Sequence, residues 1–168
     1  MDPQQVTARA LELGADEAVI FRIEQISFDS RTLLKCMFGC KDWGKGHTCP
    51  SSPGSLKPWE YQRIFENYAW GCIIHSASKK VSQDVSFAIE REAFLAGHHF
   101  AFSLSDCAIC AECAGFKGHG CVDPRRARPA FHSVGIDVFT TVRNFGLPLY
   151  PLKDENEPQN WYSAVFIE

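Results

Sequence analysis

Apolar and polar residues alternate along this chain with two different periods, and those periods place its elements. The start carries Asp2 as an N-cap, Pro3 in the first helical position, then Val6, Leu11 and Leu13, with Gly14 as the stop, which predicts a helix. Ala18–Ile23 (AVIFRI) follows as a strand, and Arg31–Lys35 (RTLLK) is expected to pair back on it. From Cys36 to Ser55 the sequence turns to Gly, Pro, Ser and Lys, the composition of an irregular loop. Leu56–Tyr68 sets Trp59, Ile64, Phe65 and Tyr68 at helical intervals. Trp70–His75 (WGCIIH) has the look of a short buried strand. Ser82–Leu95 is an amphipathic helix capped by Ser82 and stopped at Gly97, and His99–Leu104 (HFAFSL) is a strand.

After a second cysteine-rich loop, Asp123-Pro124 repeats the cap-plus-proline start and predicts a helix running to Gly135. Asp137 begins another that ends near Gly146. Leu147–Asn160 is Pro-rich and polar, a surface connection, and Trp161–Ile167 (WYSAVFI) closes as a strand. Strands that alternate with helices predict an α/β fold: one mixed β-sheet flanked by helices, with two irregular cysteine-rich metal-binding loops. No repeat, low-complexity tract or linker interrupts the 168 residues, so a single domain over 1–168 is expected.

Composition narrows the function classes. A net charge of −3 gives no global field that would recommend nucleic acid or an anionic membrane. No apolar run is long enough to span a bilayer. The opening MDPQQVTARALELGADEA has neither the basic nor the apolar region of a signal peptide, so a cytoplasmic location is expected. In a reducing compartment eight cysteines do not form a disulfide framework. They fall instead into two groups, Cys36, Cys40 and Cys49, and Cys107, Cys110, Cys113 and Cys121, with Cys72 alone. Grouped thiols in such a compartment predict metal ligands.

The spacing within SDCAICAECAGFKGHGC (105–121) decides between metals. C-x2-C-x2-C lets three thiolates on a curling loop each meet one iron of a cubane cluster, as in bacterial ferredoxins. Zinc sites use two separate knuckles of paired ligands. Ala108, Ala111, Ala114 and Gly115 between the sulfurs let the backbone approach. Iron–sulfur, of the [4Fe-4S] type, is therefore the favoured cofactor, one or two clusters, with zinc as the alternative. The earlier group, KCMFGCKDWGKGHTCP, has three ligands in a C-x3-C-x8-C pattern; its fourth is Cys72, Cys121, His47, or no protein atom.

With both loops in view, the chain resembles the prokaryotic domain-of-unknown-function family labelled "predicted metal-binding protein", common in anaerobic bacteria and methanogenic archaea. The resemblance rests on Lys35–Pro50, on Cys107–Cys121, and on PRRARPAFHSVGIDVFTTVRNFG at 124–146. It implies metal binding through Cys36, Cys40, Cys49, Cys107, Cys110, Cys113 and Cys121, and it includes no motif at Cys72. Where the family shows a second proline after the third cysteine, this chain has Ser51. A looser likeness, in LELGADEAVIF and the first loop, is to iron–sulfur reductases acting on modified nucleosides or organohalides.

Arg125, Arg126, Arg128 and Arg143 are candidates to offset the charge of a cluster or to dock an acidic redox partner. His98-His99 is a structural pair, and no phosphate-binding loop, Ser/His/Asp arrangement or carboxylate pair stands out. The expected role is electron transfer, or an accessory redox component with a redox protein as partner. The rivals are an enzyme with a small substrate on an open iron of the three-cysteine site, and a structural zinc module.

Overall fold

The computed structural model describes residues 1–154 and 156–168. Four strands, β1 (Glu17–Arg22), β2 (Trp70–Ser76), β3 (Phe102–Ser105) and β4 (Trp161–Phe166), form one sheet in the order β1-β2-β4-β3. Five helices accompany it among the described residues: α1 (Pro3–Glu12), α2 (Thr32–Gly39), α3 (Pro58–Phe65), α4 (Lys79–Leu95) and α5 (Val138–Arg143). The architecture is the α/β fold expected, one sheet flanked by helices.

The sheet is antiparallel at every pairing rather than mixed. The helix α4 does connect two strands that run in the same direction, β2 and β3. The position between them is taken by β4, antiparallel to both, so the parallel pair never become neighbours.

Period-two alternation sends each strand's residues to two cores. On one face Val6 and Ala10 of α1 and Val85, Ile89 and Ala93 of α4 pack on Cys72, Ile74 and Val165. On the other, Phe65 of α3 and Val142 of α5 pack on Phe21, Ile73, Leu104 and Phe166, with Phe131 and Val134 from a short 3-10 turn. At Gly71 a β-carbon would stand 2.2 Å from the Val165 carbonyl oxygen and 2.4 Å from the Phe21 ring. Only glycine allows β2 to lie there.

Three elements differ from the sequence expectation. Arg31–Lys35 is not a strand but the entry to α2, with Cys36 inside the helix rather than in a loop. Its apolar residues Leu34, Met37 and Phe38 are exposed, so no buried stripe marks the period. After Asp123-Pro124 there is a turn, then a 3-10 turn at Phe131–Val134, and no helix spans to Gly135. Pro129 removes an N–H and holds its predecessor extended, which stops a helix there. The helix α4 begins earlier than expected, capped by Ser78 and not Ser82, which is buried. The connection 147–160 carries no strand or helix among its described residues; Glu155 lies outside them.

Candidate metal centre

The first cysteine group is built by the last turn of α2 and a run of tight turns. Cys36 is in the helix, Cys40 caps it, and Cys49 is held by its N–H donating to Gly46 O at 3.1 Å. Ser52 N–H donates back to Cys49 O at 2.9 Å. The Cys49 sulfur receives the Gly44 N–H at 3.5 Å and lies 2.9 Å from the Ser51 hydroxyl. Ser51, where a proline was expected, therefore gives this thiol a polar neighbour.

The second group leaves the end of β3. Cys113 caps a 3-10 turn, Ala114–Lys117, which Gly118 ends in the left-handed conformation (φ 79°). Within each group the thiols are close enough to act on one another. Desolvation, then the charges of Cys40, Cys49 and Asp106, push the Cys36 thiol up to about 11. Desolvation, then Cys107, Cys113, Cys121 and Asp123, push the Cys110 thiol up as well. Cys121 thus acts on the second group, and Cys36, Cys40 and Cys49 form a group of three.

All seven of these cysteines line one cavity of about 520 Å³. The loops meet at Gly115, where a β-carbon would stand 2.2 Å from the Lys45 carbonyl oxygen. Among the described residues no group of three or more His, Cys, Asp or Glu side chains is arranged to hold a single metal ion. Cys72 is elsewhere: fully buried on β2 in the core under α1 and α4, its thiol pushed up to about 12 by burial.

A family model described as predicted metal-binding protein (DUF2284) matches residues 19–167. The chain belongs to this family. No curated protein and no solved structure matches it. The family's description, metal binding, agrees with a cavity lined by seven thiols, which become metal ligands once deprotonated.

Three buried polar atoms near the cysteine segments lack partners. Gln83 on α4 is 3% exposed. Its Oε1 accepts the Ala108 N–H at 2.5 Å, inside the second loop, and its Nε2 has no partner. The Ser105 hydroxyl, two residues before Cys107, and the Thr32 hydroxyl, one helical turn before Cys36, are also buried and unpartnered. All three stand beside cysteine segments, and none of Thr32, Gln83 and Ser105 lines the cavity itself. None of the three carries a signal in the sequence.

Other cavity residues were not anticipated either: Lys79 at the start of α4, Asp42, Asp106, Glu112, Asp123 and His132. The arginines divide. Arg128 is nearly buried, bonded to Glu90 and flanked by the Phe87 and Phe102 rings at 5.0 and 5.3 Å. Arg126 pairs with Asp123 at 3.6 Å, Arg143 ends α5 over Phe139, and Arg125 is exposed. His98 has a structural role, 3.1 Å from both the Met1 amine and Glu168. His47 lines the cavity from an exposed position. No helix among the described residues is long and apolar enough to cross a membrane.

Proposed function

We propose that the two loops hold iron–sulfur clusters of the four-iron type and that the protein carries electrons as a component of a larger redox assembly. The observation that carries this reading is the three-plus-four division of seven thiols around one cavity. A cavity of about 520 Å³ is far more than one ion requires, and C-x2-C-x2-C is the ferredoxin spacing. Bound there, a cluster supplies one-electron chemistry; the chain's own residues hold it, shield it and set its potential.

Cys107, Cys110, Cys113 and Cys121 are a complete thiolate set. Behind them the Gln83 carboxamide accepts the Ala108 N–H and so fixes the loop, and hydrogen bonds from the loop would set the potential of a bound cluster. At the first site the Gly44 N–H and Ser51 hydroxyl do the same for Cys49. Cys40 and Cys107 are exposed, giving electrons a short way out.

A redox protein partner suits the surface of these segments. Met37, Phe38, Phe116 and Val122 are exposed on them. Residues 31–57 carry five Lys or Arg against one acid in a chain of net charge −3, which favours an acidic partner.

Paramagnetic resonance of the anaerobic, dithionite-reduced protein tests this reading. Two reduced-cluster signals are expected, with Cys110→Ser removing one and Cys36→Ser the other. A reduced protein silent in resonance contradicts it.

A further inference from the structure

The first site has three thiols, and its fourth position is open to three of the candidates named from sequence in different degrees. Cys72 is buried in the opposite core. Cys121 belongs to the four-cysteine run of the second loop. His47 lines the cavity from an exposed position. A carboxylate that the sequence did not recommend is better placed.

Four carboxylates line the cavity. Asp42 is paired with Lys45 at 3.6 Å, Glu112 with Lys117 at 2.8 Å, and Asp123 with Arg126 at 3.6 Å. Asp106 has no hydrogen bond or ion pair among the described residues, although it is partly buried. It lines the same cavity as Cys36, Cys40 and Cys49.

The end of β3 brings Asp106 and Cys107 side by side to the cavity. Ser103 faces α4, where its N–H donates to Glu90 at 2.7 Å. Leu104 faces the other core, which contains Phe131 and Val134, and α2 packs against that 3-10 turn. Asp106 directly follows Ser105, the last residue of β3, and lines the cavity with Cys36, Cys40 and Cys49 as well as with Cys107.

We infer that the Asp106 carboxylate completes the three-cysteine site as its oxygen ligand, so that this site holds a metal cluster through Cys36, Cys40, Cys49 and Asp106. The inference rests on the cluster reading above. An oxygen ligand binds an iron in a thiolate cluster less firmly than sulfur does, because it is the harder donor. One iron of this cluster is therefore labile, and the site opens to an external ligand when the carboxylate leaves.

The test is oxidation of the reconstituted full-length protein with ferricyanide, followed by paramagnetic resonance. Ferricyanide takes one electron, a ferrous ion departs, and a three-iron core remains held by the three cysteines. Wild type is expected to give the three-iron signal from one cluster only. Asp106→Cys supplies a fourth thiolate and should lose that signal with full iron retained. Asp106→Asn, nearly isosteric, should give the three-iron signal at a lower ferricyanide-to-protein ratio than wild type. Wild-type behaviour in both variants overturns the assignment of Asp106, and loss of the three-iron signal in His47→Ala instead moves the ligand to His47. Sulfide measured on the same wild-type sample separates the failures: sulfide present with unaltered variants overturns Asp106 alone, and sulfide absent overturns the cluster reading with it.

Discussion

Gln83 and Ala108 are joined by a hydrogen bond of 2.5 Å that ties the buried second turn of α4 to the second cysteine loop. The bond fixes the orientation of the carboxamide, because its oxygen must face the Ala108 N–H, and so leaves the Nε2 donor without a partner. Partners one layer behind metal ligands typically matter 10- to 100-fold in metal affinity. Gln83→Leu is therefore expected to lose metal to a competing chelator about 10- to 100-fold more readily than wild type. Gln83→Glu, which keeps the acceptor, should retain more metal than Gln83→Leu. Equal retention in all three proteins would reduce the bond to a fold contact.

Gly115 sets how near the loops come. With its β-carbon placed 2.2 Å from Lys45 O, Gly115→Ala must push the two cysteine segments apart. Metal content should fall while the far-ultraviolet dichroism of sheet and helices stays unchanged. Gly120→Ala, which meets nothing within 4 Å, is the control and should load normally.

The Arg128–Glu90 pair tests what anchors the return of the second loop. Both side chains are nearly buried, at 11% and 13% exposed, and Glu90 also accepts from Ser103 N and Oγ. Removing one member of such a pair leaves an uncompensated buried charge, a loss of about 3–5 kcal/mol. Arg128→Leu should show that loss in denaturant unfolding. Arg128→Leu combined with Glu90→Gln should recover part of it. A loss under about 1 kcal/mol would place the pair with solvent-exposed ion pairs.

Cys72 gives the fold an alkaline limit. Its thiol is raised from 9.0 to about 12 by burial, so between those values the folded chain binds a proton that the unfolded chain has released. The contribution is complete below pH 9 and is lost as pH rises toward 12, with a slope of up to about 1.4 kcal/mol per pH unit. Cys72→Val should flatten that limb. The same burial makes Cys72 the last thiol of the native apoprotein to react with iodoacetamide, after the exposed Cys40 and Cys107. Early labelling of Cys72 would contradict its placement in the core.

What the sequence could show depended on how local the cause was. Asp2-Pro3 and the buried WGCIIH run announce α1 and β2 because capping, proline geometry and continuous burial are each written in a few residues. The α2 helix was hidden because Leu34, Met37 and Phe38 face outward, so burial leaves no period to read. The antiparallel sheet was hidden because it depends on β4, the last strand, entering between β2 and β3. At the candidate site the seven cysteines were legible from spacing, and their meeting around one cavity was not. That depends on Gly115 lying against Lys45, residues 70 positions apart. Gln83 and Asp106 were silent for the same reason: a single polar residue acquires a role only from what the fold sets beside it.

The most direct measurement of the central claim is iron and acid-labile sulfide content of anaerobically isolated protein, with a visible spectrum from the same sample. The account predicts iron and sulfide in matching amounts sufficient for two clusters, with broad visible absorption that bleaches on reduction. Zinc without sulfide in a colourless anaerobic sample would contradict it and leave a structural metal protein.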